Sequence, residues 1–399
     1  MTDSLNIFHA TSSPLAGDCY RSAEIMISRL PALLLGPVRA RCDQRAFDDA
    51  AEKVVSELSA YDEPISLFRP ELGAVALGVT RFQREGVTDE WILGQFGIAA
   101  FVSGGIKQFN SRFTGTHPLC VAGCLIKADT FDVHGADGVL VVKDWGGNVL
   151  AQFVRHDRPG PALWCAESNS SVISAGSMSS ILTTNGGWSD SWGAQERVNR
   201  PSDTESFKSH VQDAFALLEE MAPEYYLWTA AVLREIAPRA RIDGRTIASC
   251  SYTHYFGGIE ICTPANILET VEMLVHECSH LYYHLCSWFT KTLKDHTTEA
   301  FSVLKGTARP LDKILLGYHA FANVALMYRK LQQINAPVDA VLLEERKAQS
   351  ERFVQELYIQ LVNNQASLSS SGYAIFQSLA KELTDNEILE ERELEWVPA

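Results

Sequence analysis

The 399-residue sequence has no apolar run of the roughly 18 residues that a membrane helix needs, so no spanning segment is expected. It has no excess of positive charge either. Lys and Arg number 34 against 49 Asp and Glu, a formal net charge of −15, which argues against a broad basic face for nucleic acid or an anionic membrane. Residues 1–15 hold neither a basic segment nor an apolar stretch, so no secretory leader is expected within them. There is no internal repeat, and the one biased tract is the Ser-, Gly- and Asn-rich stretch 168–191, which reads as a long surface loop. The nine cysteines are scattered. Cys120 and Cys124 have no second pair at ligand spacing and do not by themselves make a metal site. Free thiols in a reducing cytoplasm are the expectation.

What is present is an ordinary globular composition, 46% hydrophobic and 21% charged, enough to bury a core in two or three lobes. The expected fold class is mixed α+β, mostly helical. Residues 1–115 read as a mainly helical lobe: Phe47, Ala51, Val54 and Leu58 make one apolar face over 43–60, and Thr88 is placed to cap a helix over 89–102. Residues 116–205 read as β-rich, with a turn at Gly135-Ala136-Asp137-Gly138 and a hairpin loop at Trp145-Gly146-Gly147. Residues 206–367 turn helical again, with a break near Pro223, short strands at 246–252 and 258–262, and long helices over 310–333 and 338–363. A C-terminal helix and an acidic, solvated tail from Thr384 complete the expected order over 368–399.

The most informative stretch is Val275-His276-Glu277-Cys278-Ser279-His280, an H-E-x-x-H sequence. Thr263-Pro264 reads as the start of its helix, which should run to about Phe289. At about 100° per residue, Ile267, Val271, Leu274, Cys278, Leu281 and Leu285 fall on one apolar stripe. His276 and His280 share the opposite side, one turn apart, where both imidazoles can meet one ion. Glu277 projects nearby and is the candidate catalytic carboxylate. The plain alternative is two solvated surface histidines; the strand before the helix and the helix's length favour the metal.

A catalytic metal usually takes three protein ligands. Cys286 is set aside because Tyr283 stands where a turn-forming glycine would be needed. His284 lies about 12 Å along the axis from His276 and suits a rim position. Glu299 follows His280 after 18 residues, the spacing of the gluzincin aminopeptidases, whose second helix returns a glutamate to zinc. His319, stacked with Leu315 and Asn323 on the next long helix, is either a core histidine or a ligand delivered by antiparallel packing. The choice between Glu299 and His319 stays open on these grounds.

The motif is joined by Ser302-Val303-Leu304-Lys305-Gly306-Thr307-Ala308-Arg309-Pro310-Leu311 and by Tyr318-His319-Ala320-Phe321 running on to Tyr328-Arg329. Over about 206–333 the chain thereby resembles the 2-oxoglutarate-dependent peptide β-hydroxylases named for their H-E-x-x-H motif. These enzymes are encoded beside ribosomally made peptide natural products in bacteria. The resemblance implies Fe(II), 2-oxoglutarate and O₂, with a precursor peptide hydroxylated at a side-chain β-carbon. His276, His280 and either His319 or Glu299 would hold the iron. Arg309, then Lys305, would grip the distal carboxylate of the cosubstrate. Tyr252, His254 and Tyr255 are candidates for the substrate side, and the β-rich middle for peptide capture at a strand edge. The alternative is a Zn(II) metallopeptidase in which Glu277 activates a metal-bound water and Glu299 is the third ligand.

Overall fold

Two sequence periods build this chain, alternation in its middle and a three-to-four spacing toward its end. A computed structural model describes residues 8–9, 11–39, 68–85, 87–115, 117–156, 163–166, 170–177, 179–184, 204–239, 241 and 248–389. The helix expected over 43–60 lies outside them. The fold is mixed α+β with a helical majority, and the chain forms two compact units.

The sheet unit comprises Glu24–Gln212 and Val232–Pro264. After α1 (Cys19–Arg39) it contains α2 (Pro70–Glu85) and α3 (Asp89–Val102), the latter capped as expected by the Thr88 hydroxyl, which accepts from the Trp91 amide at 3.3 Å. Strand β1 (Phe109–Thr114) starts inside the span expected to be helical, because Phe109, Ser111 and Phe113 alternate with exposed Asn110, Arg112 and Thr114. A small hairpin, β2 (Leu119–Val121) and β3 (Cys124–Ile126), precedes β4 (Thr130–Ala136), β5 (Val139–Lys143), β6 (Val149–His156) and β7 (Leu163–Ala166). These give an antiparallel sheet, order β1-β4-β5-β6-β7, with Phe113, Phe131, Val133, Leu140, Val142 and Phe153 buried on one face. The β4–β5 turn falls where expected, with Asp137 and Gly138 at φ 50° and 75°. Helix α3 meets the sheet through Gly97, where a β-carbon would stand 1.9 Å from the Phe109 ring.

The tract expected as a loop is instead a hairpin, β8 (Ser170–Ala175) with β9 (Ser179–Thr184). Its serines hide a period of two: Ile173, Ala175, Ile181 and Thr183 are buried. It joins β10 (Glu235–Arg239), β11 (Ser249–Cys250) and β12 (Gly258–Cys262) in the order β11-β12-β10-β9-β8, where β9, β10 and β12 run parallel. Strand β10 was not foreseen, and of the strand expected over 246–252 only Ser249–Cys250 pairs among the described residues. Two buried carboxylates hold the β2–β3 hairpin. Glu71 accepts from the Ala122 amide at 2.7 Å and pairs with Arg69 at 3.3 Å. Glu235 accepts from the Tyr255 hydroxyl at 3.4 Å.

The helical unit comprises Met1–Ala23, Asp213–Ala231 and Ala265–Ala399. Helix α4 (Thr204–Met221) leads into it and α5 (Pro223–Val232) follows the expected break. Then come α6 (Ile267–Phe289), the hairpin β13 (Glu299–Ser302) and β14 (Thr307–Pro310), α7 (Leu311–Gln333), α8 (Ala340–Asn363) and α9 (Ser370–Asp385). Helices α6 and α7 pack antiparallel. Tyr328 donates to Glu272 Oε2 at 2.6 Å at one end of the pair, and Tyr283 donates to the Asp312 carbonyl at 3.4 Å at the other. The segment Thr11-Ser12-Ser13 is threaded through this core. Thr11 meets Cys286 Sγ at 3.3 Å, Ser12 donates to Ser378 at 2.7 Å, and the Ser12 carbonyl accepts from Asn323 at 2.9 Å. Thr384 lies in α9 rather than in a solvated tail, and Ile388 and Leu389 are buried; residues 390–399 of the expected tail lie outside the described residues. Among the described residues no helix is long and apolar enough to cross a membrane, and no disulfide joins the described cysteines.

Candidate metal centre

Helix α6 does not start at Thr263-Pro264. The Thr263 amide still bonds to the Arg239 carbonyl in the sheet, so the helix begins three residues later. Asn266 caps it by accepting from the Glu269 amide at 3.0 Å, and Glu269 reaches back to the Ala265 amide at 2.8 Å. This is the reciprocal logic of a capping box. The helix ends at Phe289 as expected. Val271, Leu274, Cys278, Leu281 and Leu285 form its buried stripe.

On the other side the metal-ligating atoms of His276, Glu277 and His280 all lie within 4.8 Å of one another. Among the described residues this is the one such group of three. The two imidazoles stand 4.6 Å apart at 80°. Phe321 of α7 packs edge-on against His276 at 4.8 Å, backed by Phe353 of α8 at 5.1 Å. Each ring keeps some open surface yet is surrounded by protein. Burial lowers the His276 pKa to about 4. His280 is also pushed well down, by burial first and then by the charges of His276, His284, His319 and Lys313. Both rings are thus held neutral, the form in which imidazole binds a metal.

Those residues fit a metal ion on two further counts. The His280 Nδ1 atom is buried and has no hydrogen-bond partner, which is costly unless something outside the chain satisfies it. Glu277 is 2% exposed and offers a carboxylate oxygen beside both imidazoles, a donor set that suits a divalent ion.

The structure separates the candidates for a third ligand. His319 does come to α6, as antiparallel packing requires, and is 1% exposed. Its ring turns toward Tyr283, at 6.2 Å, and Trp228, at 6.3 Å, and faces the backbone of Ser12, Thr11 and Ser279. It is not in the converging group, and neither of its nitrogens makes a hydrogen bond of sound geometry. Glu299 opens strand β13 with its side chain exposed. The second helix that a gluzincin arrangement uses at this point is replaced by a hairpin. Cys286 is a buried thiol with its pKa pushed up to about 12 by burial. His284 is buried, its ring 6.3 Å from His280.

Lys305 stands exposed in the turn of the β13–β14 hairpin, and Arg309 is half-buried in β14 opposite Ala300. Tyr252, His254 and Tyr255 belong to the sheet unit. There Tyr255 serves Glu235, and His254 Nε2 lies 3.1 Å from the Thr80 hydroxyl. Sequence reading missed Phe321, Tyr283 and Lys313. Phe321 could have been noticed from its place two residues after His319; the other two depend on how α7 lands on α6.

No protein-family model matches the chain, and no curated protein matches it.

Proposed function

We propose that the chain is an Fe(II)- and 2-oxoglutarate-dependent oxygenase that hydroxylates a side-chain β-carbon of a ribosomally synthesised precursor peptide. The observation that carries the reading is the convergence of His276, Glu277 and His280 on one face of a buried helix, with both imidazoles neutral. The resemblance over 302–311 and 318–329 selects iron, because affinity order alone would not choose it over zinc. The exposed position of Glu299 weighs against the zinc peptidase.

In this reading His276 and His280 hold the metal, and Phe321 with Phe353 fixes the plane of the His276 ring. His319 is the remaining nitrogen donor on the facing helix. Bound iron supplies O₂ activation, with the 2-oxo acid decarboxylated to succinate and one oxygen atom delivered to the peptide. Glu277 holds a proton or orients water beside the ligands, and the apolar stripe of α6 anchors the whole face. The partner is a precursor peptide, not nucleic acid or membrane, and the setting is cytoplasmic, in keeping with a net charge of −15 and the lack of disulfides among the described cysteines.

The test is anaerobic loading with Fe(II), followed by 2-oxoglutarate, O₂ and candidate precursor peptides. Succinate and a peptide heavier by one oxygen are read by mass spectrometry. Both should form with the wild type and be absent with His276→Ala; His319→Ala and Glu299→Ala, checked for retained iron, report the third ligand. Peptide cleavage with zinc retained and no succinate would hand the case to the peptidase.

A further inference from the structure

We infer that Thr11-Ser12-Ser13 is a latch that holds His319 away from the metal face, so that release of this segment lets His319 join His276 and His280 as a ligand. This rests on the metal-binding part of the proposed function and adds a conformational control to it. The segment lies between α6 and α7. Thr11 meets Cys286 Sγ of α6 at 3.3 Å, and the Ser12 carbonyl accepts from Asn323 Nδ2 of α7 at 2.9 Å. The same Asn323 nitrogen donates to the His319 carbonyl one turn earlier, also at 2.9 Å. One side chain thereby ties the segment to the turn that carries His319. The His319 ring lies 6.2 Å from Tyr283, faces the Thr11 and Ser12 backbone, and stays outside the group in which His276, Glu277 and His280 converge. Its third backbone neighbour is Ser279, in the turn between His276 and His280, so the ring stands beside the metal-binding turn and is aimed elsewhere.

The hold on the segment is of a kind that can be undone. Thr11, Ser12 and Ser13 are buried, yet they bring small hydroxyl side chains rather than apolar anchors. Two of the bonds run to α9: Ser12 donates to Ser378 Oγ at 2.7 Å and Ser13 to Glu382 Oε2 at 2.5 Å. The Ser12 and Thr11 hydroxyls also bond within the segment, to the His9 and Phe8 carbonyls at 2.7 and 3.3 Å, so its shape is set locally. Hydrogen bonds of this sort exchange with water at little net cost, whereas large apolar side chains resist return to water. A ligand withheld in the latched state lowers the apparent metal affinity in proportion to the fraction of molecules that are unlatched.

The experiment titrates the metal-free full chain with Co(II), whose visible absorption reports its ligands, and reads affinity by calorimetry. The variants are Ser12→Ala, Ser13→Ala and Ser378→Ala, the last removing the Ser12 bond from the α9 side without touching the segment. Each should bind Co(II) at least about fivefold more tightly than wild type, with a changed absorption band. Adding His319→Ala to each should return the affinity to that of His319→Ala alone. In wild type, hydrogen exchange of the Thr11–Ser13 amides should be faster than at 318–328, because a latch opens without the core. Unchanged or weaker Co(II) binding in variants that keep the wild-type circular dichroism, a rise that survives His319→Ala, or latch amides as slow as those of α7 would overturn the latch and leave the metal centre standing. Wild type that binds neither Co(II) nor Fe(II) would overturn the metal centre, and the latch with it.

Discussion

The two units each bury a cluster of titratable groups, and they satisfy them in opposite ways. In the sheet unit Glu71, 0% exposed, is answered within the chain by Arg69 and the Ala122 amide. Glu235, 1% exposed, is answered by a proton. Burial first, and the Glu71 charge second, raise its pKa to about 8. In the helical unit the corresponding groups are bases held neutral by burial; His280 Nδ1 is left without a hydrogen-bond partner, while the His319 ring faces the Ser12, Thr11 and Ser279 backbone. Buried polar atoms in native proteins are normally satisfied. In the sheet cluster an ion pair and a proton balance the charge, although Glu235 Oε1 keeps no hydrogen-bond partner, whereas on α6 a buried nitrogen is left open beside a second neutral imidazole and a carboxylate, the donor set of a metal site. The contrast, more than the motif alone, directs attention to α6.

The contrast can be broken most forcefully at Glu71. Glu71→Ala would remove the buried carboxylate that pairs with Arg69 and release the β2–β3 turn, at a cost of about 3–5 kcal/mol. Chemical denaturation should show that loss, and metal stoichiometry should stay at the wild-type value. His276→Ala should do the reverse. Metal affinity should fall by more than about a hundredfold, because even residues that only orient a ligand are worth about ten- to a hundredfold. Stability without metal should barely change. Equal effects of the two substitutions on metal binding would end the distinction.

Much of the helical unit was legible because its signals are local. The stripe Val271, Leu274, Cys278, Leu281, Leu285 needs only a helical period, and the paired histidines opposite follow from it. The start of α6 was misread because Thr263 and Pro264 have the chemistry of a helix start, while the Thr263 amide is committed to a sheet partner more than twenty residues earlier. Strands β8 and β9 were hidden by composition, since serine and threonine outnumber the few apolar residues that set their face. The Thr11–Ser13 segment carries no period at all, and its partners lie hundreds of residues away. His319 shows the same limit at the site. Its burial and its arrival beside α6 could be reasoned from spacing, but the direction of its ring is decided by Tyr283, Trp228 and the Thr11–Ser12 backbone.

A gentler probe of the same contrast uses pH. Glu235 titrates near pH 8 when folded, against an ordinary 4.5. Between those values the folded chain keeps a proton that the unfolded chain has released, so stability should fall as pH rises through that window and level off above it. The groups that feel this charge are Glu71, Arg69, Tyr255, the Gly123 backbone, Cys120 and Cys124. Glu235→Gln keeps the shape and removes the proton, so it should flatten the slope of unfolding free energy against pH from 5 to 8. Amide exchange at 119–126 should quicken with pH beyond its intrinsic dependence in wild type and not in the variant. The effect should be confined to the sheet unit, because the cluster that depends on a proton is there. A slope that survives Glu235→Gln would mean that another buried group controls this range, and that the Glu71–Glu235 pair does not hold the proton its burial calls for.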